Sequence, residues 1–212
     1  MKTWLCFVLL IPVCGMVLGL MGKGFLCNCV VTLSCALIAA LTGRGEMMIP
    51  LIAAFIISVL GDWFMNHKSG STVRYILAIS LFFLAHIGFT VYAVGRFAGS
   101  ARIYICGVLL LLFLGWYMAG RVLPKIPEIP MKAAVAVYAL VSLVSLVCAA
   151  AMKGTGAVET LLYSFGIAML VASDLMICEN DFVHHTRCFG YIMPLYYLSH
   201  IFIAASTVAG MV

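Results

Sequence analysis

Residues 47–66 read MMIPLIAAFIISVLGDWFMN, an apolar run broken by charge only at Asp62. At ~1.5 Å per residue a helix of this length covers ~30 Å, the thickness of a bilayer's hydrocarbon core. A helix on the surface of a soluble domain would carry a broad polar face, and this one carries only a narrow stripe. Ser58, Asp62 and Asn66 recur at every fourth position, which places all three on one side of the helix.

Runs of the same kind fill the chain. Candidate spans are 4–20, 25–42, 47–66, 73–95, 103–119, 132–152, 157–177 and 189–211, separated by short turns rich in Gly, Pro and charge. The composition agrees: 66% of residues are hydrophobic and 9% charged, against roughly 25% charged in a soluble domain. The sequence therefore predicts an all-α fold, a single transmembrane domain over 1–212 with eight membrane-spanning helices. Lys2 and the run after it resemble a secretory leader. The internal repeat described below needs a helix there, so the first span is read as retained.

The formal net charge of +5 is spread over short loops. It suits anchoring at lipid headgroups, not nucleic acid, which needs a clustered basic surface. Lys68, Arg74, His184 and Arg187 are expected at headgroup level. Most of the nine cysteines sit in apolar runs, where a thiol behaves as a small hydrophobe. Cys178, His184, His185 and Cys188 are zinc-ligand types, but C-x5-H-H-x2-C matches no finger pattern, so no metal is assigned.

The two halves echo each other. Ser58 to Asp62 (SVLGD) ends the third span, and Leu170 to Asp174 (LVASD) lies near the end of the seventh. Phe83 to Ile87 (FLAHI) lies in the fourth, and Tyr197 to Ile201 (YLSHI) in the eighth. Four crossings repeated once return the chain to its starting side, so the halves form two parallel four-helix repeats about an axis along the membrane normal.

Ionised carboxylates in hydrocarbon cost about 2.5–3.5 kcal/mol on insertion scales, which makes Asp62 and Asp174 functional candidates. With face A defined as the side of the N-terminus and face B as the other, they lie ~22 and ~25 Å from face A. His86 and His200 lie ~16–20 Å from face B. One cavity opening toward B could hold all four if tilt and side-chain reach close a gap of ~10 Å. The bland alternative solvates the aspartates at helix ends and uses the histidines as interhelical hydrogen-bonding groups.

These motifs resemble the YhhN family of eight-helix membrane proteins, the lysoplasmalogenase family. The resemblance rests on S-x-x-G-D at Ser58 to Asp62, F-x-x-H at Phe83 to His86, the Ser173-Asp174 pair and the Tyr196-Tyr197 pair. Relatives usually have Lys-Pro where Lys23 precedes Gly24 here, often tyrosine at Phe89, and commonly glutamine at His200. The last departure favours a positioning role for His200. The resemblance implies hydrolysis of the vinyl ether bond of lysoplasmalogens (alkenyl-glycerophosphocholine or -ethanolamine), giving a fatty aldehyde and a glycerophospho-alcohol.

Under that reading Asp62 and Asp174 form an acid/base pair, as glycosidases handle a related oxocarbenium ion with two carboxyls. His86 is the third catalytic candidate. Asn66, Ser58, Ser173, Tyr196, His200 and Lys23 are candidates for binding substrate. No cofactor is called for. The expected partners are a lysophospholipid substrate and membrane lipid, with no nucleic acid and no obligatory protein. The expected location is a multi-pass position in the cell membrane of a bacterium or the endoplasmic reticulum of a eukaryote. Two rivals remain: a proton-coupled transporter, and a metal-dependent lipid amidase, which needs an H-x3-H pair that the chain lacks.

Overall fold

The structure, a computed structural model, describes residues 7–43, 45–96, 101–153, 156–184, 187 and 189–211. They form eight helices: α1 Leu10–Leu18, α2 Phe25–Thr42, α3 Met48–Asn66, α4 Thr72–Val94, α5 Ala101–Tyr117, α6 Ile129–Ala151, α7 Ala157–Phe182 and α8 Phe189–Ala209. A π-helical turn, Gly19–Lys23, extends α1, and another, Met118–Val122, extends α5 into a 3-10 turn at Leu123–Lys125. Helices α2 to α8, the fifth together with its extension as Gly107–Lys125, are long and apolar enough to cross a membrane, and α1 is a shorter apolar helix. Their outward faces carry exposed Leu, Ile, Val and Phe, such as Leu26, Ile49 and Phe165. In water such a surface would drive association; in a bilayer the acyl chains solvate it.

Contacts between helices follow the predicted repeat. Antiparallel pairs α1–α2, α3–α4, α5–α6 and α7–α8 form, and α2 packs on α3 as α6 packs on α7. Across the halves α4 packs on α6 and α8 packs on α2, the contact expected when each helix is exchanged for the one four places on. The two π-helical turns obey the same exchange, since one ends α1 and the other ends α5. Close approach within the two tightest pairs is permitted by glycine. A Cβ on Gly88 would lie 2.7 Å from the Pro50 carbonyl oxygen, and one on Gly166 would lie 2.9 Å from that of Ser199.

Two predicted boundaries are corrected. The seventh helix runs to Phe182, not to 177, because Glu179 and Asp181 are not loop charges: they pair with Arg121 and Lys68. The fifth continues past 119 through the π-helical turn, which brings Tyr117 and Arg121 together on Glu179. Tyr92, near the end of α4, does not face lipid: it is fully buried and aimed at Glu159, which pairs with Arg96 near face A. Trp63 and Trp116 are exposed, as an aromatic belt requires.

Candidate functional site

The extension of α7 bears on the site. Asp174 sits eight residues from the end of its helix, ~12 Å below face B, where the predicted end gave ~4.5 Å. About 1.4 helical turns of the depth gap to His86 are thereby removed. The two side chains meet, with His86 Nε2 3.1 Å from Asp174 Oδ2. The imidazole is buried, and the carboxylate keeps 13% of its surface exposed. From α6, Tyr138 completes the group: its hydroxyl faces Asp174, and its ring meets His86 edge-on at 5.5 Å between centroids. Among the described residues the buried His86 Nδ1 has no hydrogen-bond partner.

Asp62, on α3, is buried and accepts a hydrogen bond from the Tyr196 hydroxyl of α8 at 2.8 Å. The Tyr196 ring lies 4.4 Å from that of His200. His200 Nδ1 is 3.0 Å from the Tyr196 carbonyl oxygen, which can only accept, so the proton sits on Nδ1. Both histidine rings rest on Phe89, at 6.4 Å for His200 and 6.3 Å for His86. A row therefore crosses the bundle from Asp62 through Tyr196, His200, Phe89 and His86 to Asp174, and the phenyl ring interrupts its hydrogen bonding. Each aspartate reaches the last helix of the opposite repeat.

A chamber of about 230 Å³ lies between α5, α6 and α7. Its wall is Leu, Val, Ala and Met, with Asp174, Tyr138, Ser142 and Cys178 supplying its polar atoms. A small gap of about 20 Å³ touches the other side of Asp174, against Tyr75, Phe82 and Phe182. Asp62 lines neither space. The predicted common cavity is thus replaced by a carboxylate at a chamber wall and a second one behind Tyr196. The physical cause is Phe82, whose ring meets Tyr196 edge-on at 6.4 Å and fills the space between.

The other candidates take varied places. Ser58 donates to the Ala54 carbonyl of its own helix at 2.9 Å. Ser173 donates to the Ile192 carbonyl at 3.0 Å and clamps α7 to α8. Asn66 is exposed at the end of α3, one turn beyond Asp62. Lys23 ends the first π-helical turn, and its side chain lies outside the described residues, as do His185 and Cys188. Cys14, Cys27, Cys29, Cys35, Cys148 and Cys178 are free thiols. Among the described residues no three His, Cys, Asp or Glu side chains gather as metal ligands would. Sequence reading missed Tyr138. Its signal was Ser142, four residues on, which makes a polar pair on one face of an apolar helix.

Apolar outer faces around paired interior carboxylates define a polytopic helical membrane protein. The YhhN family model matches residues 9–207, most of the chain, and the chain belongs to the YhhN family. No curated protein and no solved structure matches it.

Proposed function

We propose that the protein is a membrane hydrolase that cleaves the vinyl ether bond of lysoplasmalogens, with Asp174 as its proton donor. The observation that carries the reading is the placement of Asp174: a carboxyl group held by His86 and Tyr138 at the wall of an apolar chamber. Family membership supports it. An alkenyl chain fits a chamber with aliphatic walls, and its polar end then lies at the one carboxylate.

A vinyl ether is protonated at its β-carbon. The Asp174 carboxyl gives that proton, the C=C electrons form the new C–H bond, and positive charge spreads over the α-carbon and ether oxygen. The resulting Asp174 carboxylate faces this oxocarbenium ion and lowers its energy in a low-dielectric site. Water adds to the α-carbon and returns its surplus proton to Asp174, directly or through His86, giving a hemiacetal. The hemiacetal breaks at the ether C–O bond, and its hydroxyl proton passes to the leaving glycerol oxygen. One water is consumed, and one aldehyde and one alcohol are formed. Asp62 is a positioning residue in this scheme: it fixes Tyr196, whose carbonyl fixes the His200 tautomer beside Phe89 and His86.

The cavities beside Asp174 favour this scheme over a proton-coupled transporter. They lie toward face B, and the cavity at face A, around Arg96 and Glu159, shares none of their lining. The test is mass spectrometry of purified protein with a lysoplasmalogen, with and without a strong chelator. Free aldehyde in both samples supports the reading. Loss of aldehyde with chelator points to a metal enzyme, and no aldehyde from folded protein in either sample overturns the reading.

A further inference from the structure

The spaces around Asp174 form a series that ends in a charged vestibule. The chamber and the small gap share Tyr138, Asp174 and Cys178, and the gap shares Tyr75 and Phe182 with a space of about 290 Å³ at face B. The Tyr75 and Phe182 rings, stacked at 5.7 Å and 8° from parallel, stand between gap and vestibule. Past them the lining gains polar groups: Lys68, Ser71, and Thr72 beside Glu128.

The charges there are arranged, not scattered. The Lys68 ammonium pairs with Asp181 and lies 4.3 Å above the Tyr75 ring. Asp181 also accepts from the Tyr75 hydroxyl at 2.7 Å and from Asn180 at 2.9 Å. With three donors Asp181 is well satisfied. Lys68 has three N–H protons and needs one for this pair, so it can donate to an anion in the vestibule. Glu128 is exposed, with the Thr72 hydroxyl 3.3 Å from its Oε1. A cation and a carboxylate lining one space match a zwitterion.

We propose that this vestibule binds a phospho-amine head group, phosphate against Lys68 and ammonium against Glu128, on a single-chain lipid whose tail fills the chamber. The proposal rests on the vinyl ether reading for the bond that lies at Asp174. The spacing fits. Asp181 is seven residues beyond Asp174 on α7, ~10 Å along the axis. The six bonds from the vinyl carbon through glycerol to phosphorus span about 7–8 Å, and the lysine side chain covers the remainder. A second acyl chain at the central glycerol carbon would have to pass the Tyr75–Phe182 pair, so the arrangement selects lysolipids.

The test is equilibrium binding to the full chain in lipid nanodiscs. The probe is 1-O-hexadecyl-glycero-3-phosphoethanolamine, whose saturated ether has no C=C to protonate. The comparison ligands are 1-O-hexadecylglycerol, the phosphate monoester without ethanolamine, and inorganic phosphate. The phosphoethanolamine lipid should bind at least about tenfold more tightly than hexadecylglycerol. Lys68→Met should erase that advantage and leave hexadecylglycerol unchanged, Lys68→Arg should restore it, and Glu128→Gln should erase the preference for the amine. Glu128→Gln alters an exposed position, so it keeps the test decisive if Lys68→Met does not fold. Wild-type affinities in all folded variants would overturn the proposal, as would inorganic phosphate binding as tightly as the lipid. Head-group-dependent binding without aldehyde release from the vinyl analogue would overturn the reaction and keep the vestibule. Aldehyde release with binding indifferent to Lys68 and Glu128 would do the reverse.

Discussion

Replacing Asp174 with asparagine isolates its proton. The carboxamide has nearly the carboxylate's shape and can still accept from His86 Nε2, now 3.1 Å from Oδ2. The asparagine oxygen keeps an acceptor for the buried His86, so that hydrogen bond is retained. The change in stability should stay at about 1 kcal/mol or less, the value of one hydrogen bond. Asparagine cannot give a proton to carbon. A positioned general acid contributes about 100- to 10,000-fold, and at 1.36 kcal/mol per decade this is about 2.7–5.4 kcal/mol of barrier. Aldehyde release by Asp174→Asn should fall by that factor at saturating lysoplasmalogen, with binding of the saturated ether analogue unchanged. Thermal unfolding in detergent, followed alongside, separates chemistry from folding. A variant that melts with wild type and keeps its rate within about threefold would show that Asp174 is not the acid.

Asp62→Asn should lose less, about tenfold, because Tyr196 keeps an acceptor at that position; kcat measured beside that of Asp174→Asn would reverse the assignment if the order were inverted. Tyr138→Phe should slow aldehyde release while leaving the fold intact, since its hydroxyl faces Asp174 and its ring supplies the packing; an unchanged rate would remove Tyr138 from the site. Gly166→Ala should destabilise the α7–α8 pair by about 1–3 kcal/mol, because its Cβ would meet the Ser199 carbonyl and Ile203, and a melting curve checks this. Arg96→Met should cost about 1.5–3 kcal/mol by removing one charged hydrogen bond from the buried Glu159 carboxylate, and Arg96→Met with Glu159→Gln should recover part of the loss. An Arg96→Met protein as stable as wild type would contradict that account.

Much of the fold was legible because membrane spans are written locally. Turn signals such as Gly22-Lys23-Gly24 and Gly43-Arg44-Gly45-Glu46 bounded the helices, and the Asp and His motifs exposed the repeat. Depth arithmetic brought Asp174 toward His86 because rise per residue is nearly constant. Charge pairing was not legible. Glu179 and Asp181 read as a loop because their partners, Arg121 and Lys68, are 58 and 113 residues away in sequence. Once paired they no longer need open water, and the helix continues. The separation of the two aspartates was hidden for a similar reason. It depends on where the Phe82 ring falls between α3, α4 and α8, a matter of rotamer and tilt that periodicity leaves open.

The most direct measurement is hydrolysis of a lysoplasmalogen in D2O, with the aldehyde trapped by borohydride at quench and weighed by mass spectrometry. Protonation at the β-carbon puts one deuterium on the carbon next to the former carbonyl in every turnover. The account predicts that singly labelled product from the wild-type protein, and its near disappearance with Asp174→Asn. Product formed without that deuterium, or formed equally by both proteins, would contradict carbon protonation by Asp174.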